Sequence, residues 1–327
     1  MFYDSAMVLR AAGGAWGSYA VAVPDHRDHE HAALVALLRS LPKGGRWNTV
    51  TDLVLERGSA VEVWTEAEVD ALLPRPERVE LLAQAAADIA RWRAEGRRFV
   101  GILDADYPVR LREVHQAPPF LFAAGQLVAD DAAVAIVGSR KASPRSLEIA
   151  SAVATELVKE GVTVLSGLAD GVHGAAHRTA LDAGGRTVAV IGTGIGRCYP
   201  TINRELQDRI AVDGLVLSQF WPDAPPQPRN FIMRNAVMSG YGRATVVVQA
   251  GEQSGARAQA RMAIEHGRPV ILTDHVVADT EWAKRLVGRP GVQVAASLPE
   301  VMAHVHAALN QESEVDALLS ELAGSML

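Results

Sequence analysis

From Ala132 onward one pattern recurs: a short run of apolar, often β-branched residues, a glycine, and then a stretch with apolar positions three or four apart. The runs are AVAIVGSR, VTVLSG, TVAVIGTG, GLVLSQF, ATVVVQAG and RPVILTD, with a possible last one at GVQVAA. Near-continuous apolar runs mark strands covered on both faces, and their alternation with helices marks a parallel sheet. The pattern predicts an α/β fold, a doubly wound and mainly parallel sheet over residues 132–310. In such sheets ligands bind beyond the carboxyl ends of the strands, where GSR, SGLADG and GTGIG all fall.

Upstream the period changes. HAALVALLRSL, TVTDLVLERG and ERVELLAQAAADIARWRAEG carry helical spacing, which predicts a small all-α domain within residues 1–98. Pro74 and Pro76 interrupt it before a longest helix running from near Glu77 to Gly96. Residues 99–131 read as a connector lying against the next domain, with two short strands, an Asp-Ala-Asp-Tyr-Pro turn and a Pro-Pro bend. Residues 311–327 read as a tail, a polar hinge followed by the amphipathic VDALLSELAGSML.

Composition narrows the setting. At 327 residues, with 49% hydrophobic and 21% charged, the chain has the make-up of a folded globular protein with room for two cores. No stretch reaches the roughly 20 apolar residues of a membrane span, and the N-terminus lacks the apolar core of a signal peptide. A cytoplasmic protein without membrane contact is expected. The single cysteine, Cys198, excludes an intrachain disulfide and a multi-cysteine zinc site. A net charge of -6 argues against coating DNA by bulk charge, so any nucleic-acid site must be local.

The candidate chemistry lies in the glycine turns. Gly138, Ser139, Arg140 and Lys141 follow the first strand just before a helix opened by Ser143 and Pro144. Glycine lets backbone amides approach a phosphate, a helix N-terminus adds partial positive charge, and arginine adds a charge-assisted contact. SGLADGVHGAAH and GTGIGRCYP repeat the design, so amides of Gly138, Gly167 and Gly194 are expected on one rim. The three glycines of GTGIG fail as a dinucleotide fingerprint, because Tyr199 and Pro200 follow at once and no acidic residue comes about 20 positions later. PRNFIMRN reads as a loop running into a helix, with Phe231 available to stack on a base.

His173 and His177 lie four apart on a helix, but no third ligand accompanies them. The cluster His26, His29 and His31, with Asp28 and Glu30, reads as a solvated segment before the first helix. Neither is taken as a metal site. Cys198 has no activating base in view and is not taken as a nucleophile.

The order of AIVGSR, SGLADGVHGAAH, GTGIGRCYP, RNFIMRN and QAGEQSGARAQARMAIEHGRPV resembles the DprA/Smf family of DNA-processing proteins. The likeness extends upstream through GILDADYPVRLREVHQAPPFLFAAGQL and the helical region, and covers about 270 of the 327 residues. It implies an extended Rossmann-like domain that binds single-stranded DNA, protects it and hands it to a RecA-type recombinase in natural transformation. It also implies a homodimer with no essential catalytic step and no cofactor.

Transferred by position, the resemblance marks Ser139 and Arg140 in the first turn, Ser166, Gly167 and Gly171 in the second, and Gly192, Thr193, Gly194 and Arg197 in the third. It further marks Arg229, Asn230, Arg234 and Asn235, and a serine-glycine helix start at Ser254 and Gly255. The chain departs from the family pattern at Asp170, where a basic residue is usual, at His173, where an acidic one is usual, and at Gln249 in place of glutamate. The run Met233, Arg234, Asn235, Ala236 is poorer in arginine than the family's. The tail is shorter than the winged-helix module many members carry. Another class of reading stays open, a nucleotide-binding sensor or a LOG-like nucleotide hydrolase of a bacterial conflict system. The PGG-x-GT-x-x-E run of such hydrolases is absent.

Overall fold

The computed structural model describes residues 26–42, 44–69 and 75–310. The expected tail and the N-terminal stretch read for a signal peptide lie outside these residues, as does Pro74.

Four helices come first among the described residues: α1 (His26–Ser40), α2 (Trp47–Arg57), α3 (Ala60–Val69) and α4 (Arg75–Ala94). Residues 31–38 of α1 are all buried, the mark of a helix surrounded on every side. α3 and α4 pack against it. The histidine cluster is not a lead-in but part of the first helix: α1 begins at His26, His26 and His29 are exposed on it, and His31 is buried with its Nε2 2.8 Å from Asp104 Oδ2. Glu30 is equally engaged, accepting from the Ser59 hydroxyl at 2.7 Å and the Ala60 amide at 2.6 Å at the start of α3. Pro76 sits in the first turn of α4, where a missing amide hydrogen costs nothing.

β1 (Arg98–Gly101), the short α5 (Val109–Arg112) and β2 (Phe120–Gly125) come next, and then the strand-helix alternation. It runs β3 (Ala133–Gly138), α6 (Pro144–Lys159), β4 (Thr163–Ser166), α7 (Val172–Asp182), β5 (Thr187–Val190), α8 (Arg204–Asp213) and β6 (Leu215–Ser218). α9 (Pro228–Tyr241), β7 (Ala244–Gln249), α10 (Gly255–Glu265), β8 (Val270–Thr273) and β9 (Val292–Ala295) complete it. All seven runs read from the sequence are strands. PRNFIMRN is helical from Pro228, not a loop.

The nine strands form one sheet in the order β1-β2-β6-β5-β4-β3-β7-β8-β9. Strands β3 to β9 pair in parallel, while β2 joins β6 and β1 joins β2 antiparallel. The two strands of the connector thus extend the same sheet. One core runs without a break from the helical unit across one sheet face, and an aromatic group of Trp92, Phe99, Phe120, Phe122 and Trp221 sits at that join. On the other face α6 and α7 and the helical residues 298–310 cover β3, β4 and β7, and α8 covers β5 and β6. Among the described residues no helix is long and apolar enough to cross a membrane.

Strand order reverses between β3 and β7. From β3 the chain moves outward through β4, β5 and β6, and then returns to β7 on the other side. A crevice opens beyond the carboxyl ends of strands at such a switch point.

Candidate functional site

A cavity of about 530 Å³ occupies that crevice. Its walls come from the turn after β3 (Gly138, Ser139, Arg140, Lys141), from α9 (Phe231, Ile232, Arg234, Asn235, Met238), and from the start of α10 with the two residues before it (Gln253, Ser254, Gly255, Gln259). A smaller cavity of about 100 Å³ shares Arg140, Ala169 and Phe231 with it and adds Gly167, Asp170, Tyr199 and Pro200.

The first turn is shaped by a helix cap. Ser143 accepts from the Ser146 amide at the start of α6, and the Ser143 amide donates to Gln249 Oε1 at 3.0 Å. This ties the ends of β3 and β7 together. A Cβ at Gly138 would come 2.6 Å from Val172, so glycine is required there by the packing of α7. The Arg140 guanidinium carbon lies 5.4 Å from the centre of the Phe231 ring, and Tyr199 stacks obliquely on that ring at 5.5 Å. Neither Arg140 nor Lys141 pairs with a carboxylate among the described residues, and both are exposed.

Beneath them lies Arg234, 4% exposed. Its Nη1 donates to the carbonyls of Gly167 at 2.6 Å and Val190 at 2.7 Å, and its Nε has no partner among the described residues. Burial, with Arg140 nearby, lowers its pKa to about 10. The guanidinium remains charged at neutral pH, so two arginines without a carboxylate face one cavity. α10 adds an amino terminus capped by Ser254, whose side chain accepts from the Arg257 amide, and a Cβ at Gly255 would meet nothing. Backbone amides of an open helix start favour an anion.

The second turn contributes differently from the sequence expectation. The Gly167 amide donates to His173 Nδ1 at 3.0 Å, the Leu168 amide to His177 Nε2 at 3.4 Å, and the Leu168 carbonyl accepts from Asn203 Nδ2 at 3.0 Å. Ser166 Oγ donates to the Ile136 carbonyl at 2.6 Å. These bonds hold Leu168 at φ 54, a conformation that L residues adopt only when their surroundings fix it. A Cβ at Gly167 would land on the Arg234 guanidinium. Gly171, with φ 69, lets the start of α7 meet the Ser139 and Arg140 carbonyls.

Both histidines are structural acceptors. His177 Nδ1 lies 2.7 Å from Thr187 Oγ1, which itself donates to the Val164 carbonyl, so the proton sits on Nδ1 and Nε2 is free to accept. Burial and then Arg234 push His173 well below the usual histidine range and His177 to about 3. No group of His, Cys, Asp and Glu suited to a metal ion occurs among the described residues.

The third turn reaches the smaller cavity only with Tyr199 and Pro200, and its glycine amides turn inward. The Gly194 amide donates to the Ala224 carbonyl and the Gly196 amide to the Pro222 carbonyl, each at 2.9 Å. Arg197 Nε donates to the Asp223 carbonyl at 2.7 Å, and Thr193 is buried. Gly192 makes room for Phe231. Amides of Gly138, Gly167 and Gly194 therefore do not form a common rim, since two of the three are spent inside the protein. Cys198 is buried, with its thiol raised by that burial, and its Sγ donates to the Pro200 carbonyl.

Of the positions marked in the sequence, Gly138, Ser139, Arg140, Lys141, Arg234, Asn235, Ser254 and Gly255 line the larger cavity and Gly167 the smaller. Ser166, Gly171, Gly192, Thr193, Gly194, Arg197, Arg229 and Asn230 line neither. Arg229 is exposed on the first turn of α9, and Asn230 donates to the Pro225 carbonyl at 3.4 Å. Sequence reasoning passed over Gln259, one helical turn beyond Gly255, and Met238, one turn beyond Arg234. Counting four residues onward from a helix start would have found the first.

Fold and cavity together define a Rossmann-like α/β protein with an arginine-lined crevice at its switch point. A family model described as DNA recombination-mediator protein A matches residues 98–302. The chain belongs to that family, which holds the DprA and Smf proteins. The DNA processing protein DprA of Bacillus subtilis is 32% identical over 206 residues, covering 62% of this chain and 66% of the relative's length. Among solved structures, DprA from Streptococcus pneumoniae superposes with a TM-score of 0.64 at 30% identity, covering 84% of this chain and 97% of that one. A structure of the Helicobacter pylori protein, described by its single-stranded DNA binding mode, gives 0.56 at 25% identity, with 63% of this chain and 94% of that one covered.

Proposed function

We propose that the chain binds single-stranded DNA through the crevice at the β3/β7 switch point, as a binding protein and not an enzyme. The observation that carries this reading is the pair of arginines, exposed Arg140 and buried Arg234, that face one cavity with no carboxylate in its described lining. Phosphates take the positions opposite Arg140, Lys141 and the open amides at the start of α10. Bases lie against Phe231 and Tyr199, since an aromatic face stacks any base and needs no sequence. Kinship with the Helicobacter pylori protein supports the same ligand. The missing carboxylate in the larger cavity disfavours the nucleotide hydrolase, which needs a glutamate beside the glycosidic bond.

On this reading the protein shields incoming strands in the cytoplasm and passes them, as a homodimer, to a RecA-type recombinase during transformation. Anisotropy titration with oligo-dT across salt tests the binding step. Arg140→Ala is expected to weaken affinity by about 1–3 kcal/mol and to reduce the salt slope by roughly 0.7, one single-strand phosphate contact. Wild-type protein without salt-sensitive binding would overturn the reading.

A further inference from the structure

Gln259 sits on α10, one turn inside its amino terminus, and lines the larger cavity. It is 1% exposed, and neither its Nε2 nor its Oε1 has a partner among the described residues. A buried carboxamide with both ends unsatisfied is costly, because each group has left water without gaining a bond, and native proteins rarely leave one without a reason. Of the residues that line the same cavity from α9 and α10, Ala256 and Ala258 offer no side-chain donor or acceptor, Met238 only a weak thioether acceptor, and Asn235 Nδ2 donates to the Gly255 carbonyl. The cation-bearing residues Arg140 and Lys141 stand across the same cavity, whose volume of about 530 Å³ lies within the range of small-molecule sites.

A carboxamide presents one donor beside one acceptor. The ligand group that answers it must present an acceptor beside a donor, and it must arrive attached to an anion that Arg140 can hold. A nucleobase edge on a phosphate has that chemistry, because each base carries a donor and an acceptor side by side and glutamine pairs with such edges in a bidentate manner. We infer that the larger cavity is a nucleotide subsite in which Gln259 hydrogen-bonds the edge of one base, so that one nucleotide of the bound ligand is read and not merely held. The inference rests on the anion-binding reading of this crevice and adds the base. The nucleotide has two sources, a residue of the strand or a free mononucleotide.

The test compares wild type with Gln259→Met, which keeps an unbranched side chain of similar length and removes the amide. Each protein is titrated with oligo-dT, with an abasic deoxyribose-phosphate strand of the same length, and with dTMP as competitor. Gln259→Met is expected to lose about tenfold in affinity for oligo-dT, the low end of a bidentate base contact, and to bind the abasic strand as wild type does. Unliganded Gln259→Met should melt at the wild-type temperature or above it, since replacing an unsatisfied amide by an apolar group leaves no partner stranded.

A lower melting temperature would show that the amide has partners in the protein and would overturn the inference. Equal changes for the two strands, or none, would overturn it while leaving strand binding intact. Displacement of oligo-dT by dTMP from wild type but not from the variant would support the inference and assign the base to a free nucleotide. A loss confined to oligo-dT would support it and assign the base to the strand. If only dTMP binds, and does so through Gln259, strand binding fails and the base contact stands. If nothing binds, both fail.

Discussion

Two cavities of similar volume, about 530 Å³ at the switch point and about 480 Å³ between the helical unit and β1, are both walled by arginine. In the second, Arg27 pairs with Asp104 and Asp106, Arg93 with Asp28, Arg97 with Glu95 and Arg98 with Asp106. Asp104 there also accepts from the Gly101 amide at 2.8 Å and from His31. These charges are answered within the protein, and they join two parts of the chain. At the switch point Arg140 and Lys141 pair with no carboxylate among the described residues, and Arg234 Nη1 donates to two carbonyls. The same residue type is paired with acids in one place, where it acts as structural cement, and is left without them in the other, where on the proposed reading it receives an anion.

Removing Arg234 should have the largest effect. Arg234→Ala strands the Gly167 and Val190 carbonyls, an expected loss of about 2–4 kcal/mol in urea unfolding, and it abolishes oligo-dT binding because the second turn loses its anchor. Retained stability with lost binding would show that Arg234 serves the ligand alone.

At the helical junction, Asp104→Ala removes the acceptor for the Gly101 amide, His31 and Arg27 together. It should lower stability by about 2–3 kcal/mol while oligo-dT affinity stays unchanged. A change in affinity would mean that the two cavities are coupled.

Acid should separate the regions next. His177 has its folded pKa lowered from 6.5 to about 3, so below pH 6.5 the unfolded chain binds a proton that the folded one refuses. Its contribution is complete above pH 6.5 and declines steadily toward pH 3, by about 2 kcal/mol at pH 5. Protonated Nε2 would point a donor at the Leu168 amide, so the second turn opens first. Asp104, lowered from 3.8 by its bonds to His31 and Arg27 despite burial, contributes at all pH above 3.8 and fails only beneath it. Hydrogen exchange at pH 5 should therefore show faster opening at residues 166–168 than at residues 98–101. Equal rates would break the distinction.

The smallest stability effect belongs to Arg140→Ala. With no carboxylate partner to strand, it should change unfolding free energy by less than about 0.5 kcal/mol even though it costs binding. A larger loss would place Arg140 with the junction arginines.

Strand identity, parallel pairing and the carboxyl-end location of the site were all legible in the chain, because each depends on local apolar runs and the helices between them. The first turn and the serine-glycine start of α10 were legible for the same reason. Of the three glycines expected to offer amides on one rim, Gly167 and Gly194 spend theirs inside the protein. Gly167 and Gly192 are bare because Arg234 and Phe231 occupy the space of their side chains, and both of those come from α9, some forty or more residues away.

Local pattern determined what this protein is built from: seven apolar runs, the helices between them, a capped turn after β3, and the family to which they belong. Tertiary structure decided which of those features face a ligand. Whether an amide is free or spent, whether a histidine is solvated or buried, and whether an arginine has an acid beside it all depend on groups distant in sequence and adjacent in space. Folding brings Asp104 to Arg27 and, among the described residues, pairs no carboxylate with Arg140, and no periodicity along the chain records that difference.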